Sequence, residues 1–236
     1  TSYRYRRSVN EILAEHYPNS IKLAFAAIII ETIIGIIAGI ISAVKKYSFL
    51  DVLVTISTTI LVCIPVYWLG MLLQIGFGLK LGWLPMSGMG DGSLKYYILP
   101  ALTLASVSTA FVARMTRSSM LDVLSNDYIR TAYAKGLSNN RVIFKHSLKN
   151  ALIPVITYIG IDLGTLMGGA ILTETIFAWP GVGRIIYLAI LQRDAPVVIG
   201  GTIILVLIFV IINLIVDIFY AILDPRIRFS GGEANY

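Results

Sequence analysis

Residues 52–79 read VLVTISTTILVCIPVYWLGMLLQIGFGL, a run of 28 residues without a charged side chain. An α-helix needs about 20 mostly apolar residues to cross the hydrocarbon core of a bilayer. Apolar side chains would cover every side of this helix, whereas the surface helix of a soluble protein is apolar on one side only. The run therefore predicts a membrane span.

The composition of the whole chain agrees with a membrane protein. Of its 236 residues, 57% are hydrophobic and 14% are charged, whereas soluble domains are about 45–50% apolar and about 25% charged. An ordinary soluble enzyme, a disordered chain and a disulfide scaffold are therefore excluded. We predict an all-α, polytopic membrane protein built as a helix bundle. Its five spans are expected at residues 20–44, 52–79, 96–120, 151–173 and 195–223.

The spans divide the chain into three parts. Residues 1–19 are expected to form an external segment, residues 20–223 the transmembrane domain, and residues 224–236 a cytoplasmic tail. Cytoplasmic loops carry an excess of Lys and Arg, and one side of the bundle carries more of both than the other. We assign that side to the cytoplasm. Its basic residues are Lys45, Lys46, Arg114, Arg117, Arg130, Lys135, Arg141, Lys145, Lys149, Arg226 and Arg228.

This orientation has a consequence for the N-terminus. Five spans with the C-terminus inside place the N-terminus outside, and the tail there carries Arg4, Arg6 and Arg7. A basic tail without a signal peptide is poorly suited to export. We therefore expect a sixth membrane helix before residue 1.

The sequence lacks the motifs of the common catalytic and nucleotide-binding sites. Cys63 is the only cysteine, and the two histidines, His16 and His146, lie far apart. The chain has no Gly-x4-Gly-Lys-Ser/Thr phosphate loop and no His-Glu-x-x-His zinc motif. We predict that it is not an enzyme and that it holds no cofactor of its own.

The longest polar stretch, within residues 121–149, predicts two short helices at the membrane surface. Asn126 and Asp127 are residue types that begin helices. Gly136 fits the position just past a helix end, where glycine adopts the left-handed conformation at no steric cost. A helix over residues 128–135 is therefore followed by a tight turn and by a second helix that runs into the fourth span.

Three interpretations of this stretch compete. A plain basic loop on anionic lipid is the simplest. A DNA-binding helix-turn-helix is disfavoured, because spans hold both ends of the segment at the membrane. Small side chains at Thr131, Ala132 and Ala134 would let the backbone of another protein approach closely, which favours a docking element for a soluble cytoplasmic subunit.

Residues 127–138, DYIRTAYAKGLS, resemble the EAA loop of binding-protein-dependent ABC importers. The form is that of the oligopeptide, dipeptide and nickel permeases, and it favours the B-type permease of the pair. The resemblance covers nearly the whole chain in the family's order. Further matching segments are GWLP at 82–85, LPALTL at 99–104, RMTRSSM at 114–120, HSLKNALIP at 146–154, LTETIF at 172–177, WPGVGR at 179–184 and DPRIR at 224–228.

Two parts of the loop depart from the general EAA pattern. Arg130, Thr131 and Ala132 stand where that pattern has Glu-Ala-Ala, and HSLK at 146–149 stands where it has Ile-x-Leu-Pro. Arg-Thr-Ala is usual in the peptide and nickel branch, so this departure narrows the family. An acidic contact at position 130 is not carried over.

The resemblance implies a permease subunit of an ATP-driven importer in the inner membrane of a bacterium or archaeon. Its partners would be a second, C-type permease, two cytoplasmic ATPases that bind ATP and Mg, an external solute-binding protein and membrane lipid, but no nucleic acid. Dipeptides, oligopeptides, nickel chelates, glutathione and sugars all stay open as substrates. The residues of the ATPase-coupling loop would be Asp127, Tyr128, Arg130, Thr131, Ala132, Lys135, Gly136 and Leu137.

The resemblance also implies an external gate, or a docking surface for the binding protein, after the fourth span. The alternative for its tryptophan is an aromatic anchor at the membrane interface. The residues concerned are Glu174, Trp179, Pro180, Gly181 and Arg184.

Glu31 and Asp162 place carboxylates inside predicted spans. A charge at the centre of a span costs about 2.5–3.5 kcal/mol on insertion scales. We expect both residues to face the translocation pathway and to bind a peptide amino terminus or a metal cation. Pairing with polar groups of a neighbouring helix is the alternative, and a secondary transporter or channel that uses these carboxylates is the alternative function. Asp217, in the fifth span, is expected to be structural.

Glycines spaced four residues apart occur in two spans, at Gly35 and Gly39 and at Gly160, Gly164 and Gly168. Such small residues allow helices to pack closely. A sliding interface or a pore lining is the alternative.

Overall fold

A computed structural model describes the backbone of residues 1–167 and 170–223, and the side chains of all these except 219–223. Gly168 and the predicted tail, with its motif at 224–228, lie outside the described residues. The described chain is an all-α bundle, as predicted. Its helices are α1 Val9–Val44, α2 Phe49–Cys63, α3 Val66–Leu73, α4 Leu94–Leu124, α5 Asp127–Ala134, α6 Asn139–Arg141, α7 Leu148–Met167, α8 Ile171–Ile176, α9 Val182–Leu191 and α10 Ala195–Leu223, with π-helical segments at Gln74–Lys80 and Val142–Ser147.

The described helices supply four or five membrane spans, against the five predicted from the sequence. Four helices in the described part of the chain are long and apolar enough to cross a membrane, and the bent pair α2–α3 makes a fifth span if it is counted as one. The fourth span starts with α6, since α6, the π-helical segment and α7 form one continuous helix from Asn139 to Met167.

The first helix is longer than expected. α1 contains 36 residues, about 54 Å at 1.5 Å per residue, which exceeds the hydrocarbon thickness of about 30 Å. The helix therefore includes residues 9–19 and continues through Pro18. That residues 1–19 lie outside the membrane stays a prediction. Ile12 and Leu13 are buried against α9 and α10. This packing outweighs the helix-breaking effect of the proline.

The second span is broken, contrary to the prediction of one helix over residues 52–79. The axes of α2 and α3 are bent by 107° at residues 64–65. Pro65 disfavours the helical conformation at the residue before it, and Ile64 is extended, with φ −84° and ψ 124°. The span is therefore either kinked or re-entrant, and Pro65 is the sequence signal for the break.

The fourth span is shorter at its C-terminal end than predicted. Ala170 is not helical (φ −91°, ψ 52°) and precedes the separate helix α8, so a continuous helix to residue 173 is wrong. Pro154 lies within α7 and does not end it.

The core of the bundle is the contact between α1 and α4, the most extensive between any two described helices. Both glycines of α1 face α4. A Cβ atom on Gly35 would lie 3.1 Å from the carbonyl oxygen of Thr109, and one on Gly39 would lie 2.6 Å from that of Ala113. The two backbones approach too closely for any side chain at these positions, so close packing explains this glycine pair.

We predict that Gly39→Ala lowers the stability of the bundle. The added methyl group would displace a backbone, and overpacking of this kind costs about 1–3 kcal/mol. Thermal unfolding of the full-length protein in detergent measures the effect. Gly76→Ala is the matched control, because it is also helical and a Cβ there meets nothing within 4 Å. Equal unfolding temperatures for the two variants would contradict the close contact.

Candidate functional site

One end of the bundle gathers the basic loops, and we call it the basic end. The C-terminal ends of α1 and α4 meet the start of α7 there, where Ala43, Met120, Ile143 and Ala151 form an apolar cluster. The segment that contains α5 and α6 projects from this cluster. The structure thus brings together the α1–α2 turn and the long polar stretch, which the distribution of Lys and Arg had placed on one side.

Helix α5 is amphipathic and stands on an apolar base. Ile129 and Ala132 are buried, with exposed fractions of 1% and 7%. They pack with Val142, at the start of the π-helical segment, and with Leu124 and Leu137. The helix therefore has one fixed side and one free side.

A Schellman motif ends α5, as the glycine at position 136 predicted. Gly136 adopts a left-handed conformation, with φ +76°. Its N–H donates to the carbonyl of Tyr133 (2.9 Å), and the N–H of Leu137 donates to that of Ala132 (3.3 Å). Leu137 also packs onto the apolar base, which is the hydrophobic contact that accompanies this motif. The turn orients α5 relative to the helix that follows.

Two tyrosines of α5 are hydrogen-bonded to that following helix. The hydroxyl of Tyr133 donates to Asn139 Oδ1 (2.7 Å), and Asn150 Nδ2 donates to the hydroxyl of Tyr128 (3.0 Å). Both tyrosine side chains stay more than 40% exposed. Side chains on the free side of α5 are thus held in place before any partner is present.

The residues predicted for coupling fall on both sides of α5. Arg130 and Asp127 form an exposed ion pair (3.7 Å), and Thr131 and Lys135 are also exposed. Ala132 was expected among the small residues of the docking face, but it packs into the base instead. It lies three residues after the buried Ile129 and therefore on the same face of the helix. We call the exposed residues of α5 and of the turn that ends it the α5 surface: Asp127, Tyr128, Arg130, Thr131, Tyr133, Ala134, Lys135 and Gly136.

An ion pair between the buried Asp51 and the partly exposed Arg117, which was not predicted from the sequence, braces the basic end. Arg117, on α4, donates from Nε to Asp51 Oδ1 (2.7 Å) and from Nη2 to Oδ2 (2.8 Å). Asp51, on α2, is 4% exposed and also accepts from the hydroxyl of Ser42 and the N–H of Tyr47. Bidentate Arg–carboxylate pairs fix geometry as well as charge, so this pair joins α1, α2 and α4. The sequence signal for this ion pair is Asp51 itself, a single carboxylate in the first turn of an otherwise apolar helix.

At the opposite end of the bundle, Glu174 binds the N-terminus of α9. Its Oε1 accepts from the hydroxyl of Ser20 (2.6 Å), and its Oε2 accepts from the N–H of Arg184 (3.0 Å). The same Ser20 hydroxyl accepts from the N–H of Val182 (2.9 Å). A carboxylate is favoured at a helix N-terminus, where the N–H groups lack partners within the helix.

Two nearby glycines leave room for this carboxylate, and Gly183 also lies against the backbone of Ile171, whose Cα would be 2.8 Å from an added Cβ. A Cβ on Gly183 would lie 2.9 Å from Glu174 Oε2, and a Cβ on Gly181 would collide with the same carboxyl group. Burial raises the pKa of Glu174, and hydrogen bonds from Ser20, Arg184 and Gly183 oppose that rise.

Trp179 is completely buried, so the alternative of an aromatic anchor at the membrane interface is wrong. Its indole N–H donates to the carbonyl of Asn19 (3.0 Å), and Asn19 Nδ2 donates to the carbonyl of Pro180 (2.9 Å). Arg184 Nη1 donates to the carbonyl of Ala178 (3.0 Å). The predicted gate residues therefore form a loop clamped onto α1, buried or half-buried throughout. They are largely enclosed in this conformation, and their role as a gate or as a docking surface for the binding protein stays a prediction.

A second buried carboxylate lies at the far end of α9. Asp194 accepts hydrogen bonds from the hydroxyl of Ser2 and from the N–H groups of Tyr3 (3.2 Å) and Arg4 (3.1 Å). Burial alone would raise the pKa of Asp194, but these hydrogen bonds outweigh it and hold that pKa below its usual range. The residues before α1 are thereby attached to the turn between α9 and α10.

The structure brings Glu31 and Asp162 together, but not on an open pathway. Glu31 is fully buried between the helices of this chain, and Asp162 is half-buried. Glu31 therefore has no exposed surface in this conformation, and the place of both residues on the translocation pathway stays a prediction. Gly164, one turn after Gly160, packs against Asn213 of α10: a Cβ there would lie 2.9 Å from Asn213 Nδ2.

Residues 35–229 match the family described as binding-protein-dependent transport system inner membrane component. The chain belongs to this family, and it is a multi-pass permease of the bacterial inner membrane. Family membership decides between the two functions considered from the sequence in favour of the importer permease.

Among named relatives, the dipeptide transport system permease protein DppB of Alkalihalophilus pseudofirmus is 44% identical over 97% of this chain and 77% of its own length. The oligopeptide transport system permease protein AppB of Bacillus subtilis is 42% identical, over 94% and 72%. The glutathione transport system permease protein GsiC of Escherichia coli K12 is also 42% identical, over 95% and 73%.

Solved structures support the fold. A chain of the MetNI methionine ABC transporter, in an inward-facing conformation, superposes with a TM-score of 0.73 at 19% identity, over 90% of this chain and 96% of that one. A chain of an amino acid ABC transporter gives 0.64 at 15% identity, over 89% and 93%.

We predict that Glu174→Gln destabilises the protein. The amide places an N–H group where the carboxylate accepts, and a buried hydrogen-bonding group left without a partner costs about 1–3 kcal/mol. The control is Glu15→Gln, which removes only an exposed ion pair with Arg7, worth about 0–1 kcal/mol. Thermal unfolding of the two full-length variants measures the difference, and a Glu174→Gln protein as stable as the control would show that the cap is unimportant.

Proposed function

We propose that the chain is one of two permease subunits of an ATP-driven importer and that peptides are its substrates. The relatives described above are named for dipeptides, oligopeptides and glutathione, itself a tripeptide. Peptides are therefore the preferred substrate class, ahead of nickel chelates and sugars. The chain would form half of the translocation pathway, with a C-type permease as the other half and a solute-binding protein on the outside.

The observation that carries the coupling role is the α5 surface. Eight residues of one short segment are exposed at the basic end, on a helix whose other side is fixed by Ile129 and Ala132. A rigid helix with small exposed side chains, such as Thr131 and Ala134, suits insertion into a cleft of a cytoplasmic ATPase. ATP and Mg would be bound by that ATPase, and closure of the ATPase pair would move α5.

This coupling is a difference in binding between two conformations of the importer. The brace between Asp51 and Arg117 would pass a displacement of α5 to α1, α2 and α4. We infer that the basic end faces the cytoplasm and that the Glu174 loop lies on the outer side. The exposed apolar side chains of α2 and α10 would contact lipid or the second permease.

We predict that Gly136→Val releases the ATPases. A β-branched residue is strained at a positive φ, so the Schellman turn would open and α5 would lose its orientation. The full-length tagged chain is purified from native membranes in mild detergent, and partners are identified by mass spectrometry. The wild-type chain should copurify with two ATPases and a second permease, and the variant should lose at least 90% of the ATPases.

Gly82→Val is the matched control. Gly82 also has a positive φ (+62°), and a Cβ atom on either glycine would meet nothing within 4 Å, but Gly82 lies on the loop that packs at the Glu174 end. The Gly82→Val variant should keep the ATPases. Wild-type protein that purifies without any ATPase would contradict the proposal that the chain belongs to an importer. Loss of the ATPases in both variants would contradict only the coupling role of α5. Uptake of a radiolabelled dipeptide or tripeptide by the reconstituted importer tests the substrate class.

A further inference from the structure

Two carboxyl groups within the span bundle have buried oxygen atoms without a hydrogen-bond partner among the described residues. Glu31, on α1, is 0% exposed, and neither of its carboxyl oxygens has a hydrogen-bond partner among the described residues. The same holds for Oδ2 of Asp162, on α7. Buried polar groups are rarely left unsatisfied in folded proteins, so these oxygen atoms require a further partner.

The two carboxyl groups lie at one level of the bundle. Ala27 of α1, Ala105 of α4 and Leu166 of α7 pack in one apolar cluster. Glu31, Ser108 and Asp162 each lie one helical turn from one of these three residues, and the two carboxyl groups interact electrostatically. Tyr158, one turn before Asp162 on α7, packs its ring against Phe111 of α4 (centroids 6.1 Å apart), and Arg114 lies over the same Phe111 ring (4.9 Å). Three helices, α1, α4 and α7, therefore contribute to one polar cluster.

Two ionised carboxylates at such a site repel each other, and burial adds the cost of desolvating each charge. As acceptors only, they also offer each other no hydrogen bond. One proton removes both difficulties, because a protonated carboxyl donates to its ionised neighbour in a short, charge-assisted hydrogen bond. A divalent metal ion fits less well, since no third His, Cys, Asp or Glu joins the pair in the described part of the chain.

We propose that Glu31 and Asp162 bind one proton between them. The pair then carries a single negative charge and forms a hydrogen-bonded tie between α1 and α7 inside the membrane. The tie is present while the proton is bound and is lost as the pH rises and the proton leaves, since the resulting dianion repels itself. This proton site is independent of the identity of the transported substrate.

Infrared difference spectroscopy tests the proton directly. The full-length protein, assembled with its partner subunits in nanodiscs, is compared with Glu31→Gln and Asp162→Asn at neutral pH. The wild type should show the carbonyl stretching band of a buried protonated carboxylic acid. Both variants should lose that band, because an amide supplies the donor and the remaining carboxyl group stays ionised. Asp217→Asn, which neutralises an exposed carboxylate in α10, should keep it.

The pH dependence of thermal unfolding is the second measurement. Between pH 7 and pH 10 the unfolding temperature of the wild type and of Asp217→Asn should fall by several degrees more than that of Glu31→Gln, which cannot become a dianion. Titration of other groups is common to all three proteins and cancels in this comparison. A wild type without the acid band, or a Glu31→Gln protein with the same pH dependence as the wild type, would overturn the proposal and indicate two ionised carboxylates neutralised by a bound cation.

Discussion

The close packing of α1 against α4 is the constraint on which the rest of the structure depends. With Gly35 and Gly39 facing α4, the two backbones come into direct contact, and neither helix can shift without displacing the other. At the basic end, the ion pair between Asp51 and Arg117 secures this helix pair to α2. At the opposite end, Ser20 of α1 binds Glu174. Both candidate functional regions are therefore attached to one rigid unit.

This arrangement gives a physical route between the two ends. Ser125 and Asn126 alone separate α4 from α5, and the base of α5 packs on Leu124, the last residue of α4, and on Val142. A force on α5 therefore reaches α4 and α7 through packed side chains rather than through a flexible loop. The loop containing Trp179 is hydrogen-bonded to Asn19, so movement of α1 would reach that loop as well.

Local signals in the sequence predicted the features that depend on local chemistry. Apolar runs predicted five spans, of which four are single helices and the fifth is the bent pair α2–α3 if it is counted as one. The glycine at position 136 predicted the end of α5. Features that depend on distant contacts were missed or misjudged. The cap formed by Glu174 and Ser20 joins residues 154 positions apart. The part of α1 before Pro18 packs through Ile12 and Leu13 on α9 and α10, which lie far along the chain. The break at Pro65 was not predicted, although the proline itself is a local signal. The span over residues 52–79 was predicted from the absence of charged residues, and that criterion does not detect a proline.

The most direct test of the docking role of α5 is a pair of cysteine cross-linking experiments on that helix. In a Cys63→Ser background, Thr131→Cys and Ala132→Cys place thiols on adjacent residues, one on the α5 surface and one in its buried base. In the assembled importer, a short bifunctional reagent should cross-link Thr131→Cys to an ATPase subunit and leave Ala132→Cys unreacted. Equal cross-linking of both positions, or none at Thr131→Cys, would contradict the claim that the free side of α5 is the docking surface.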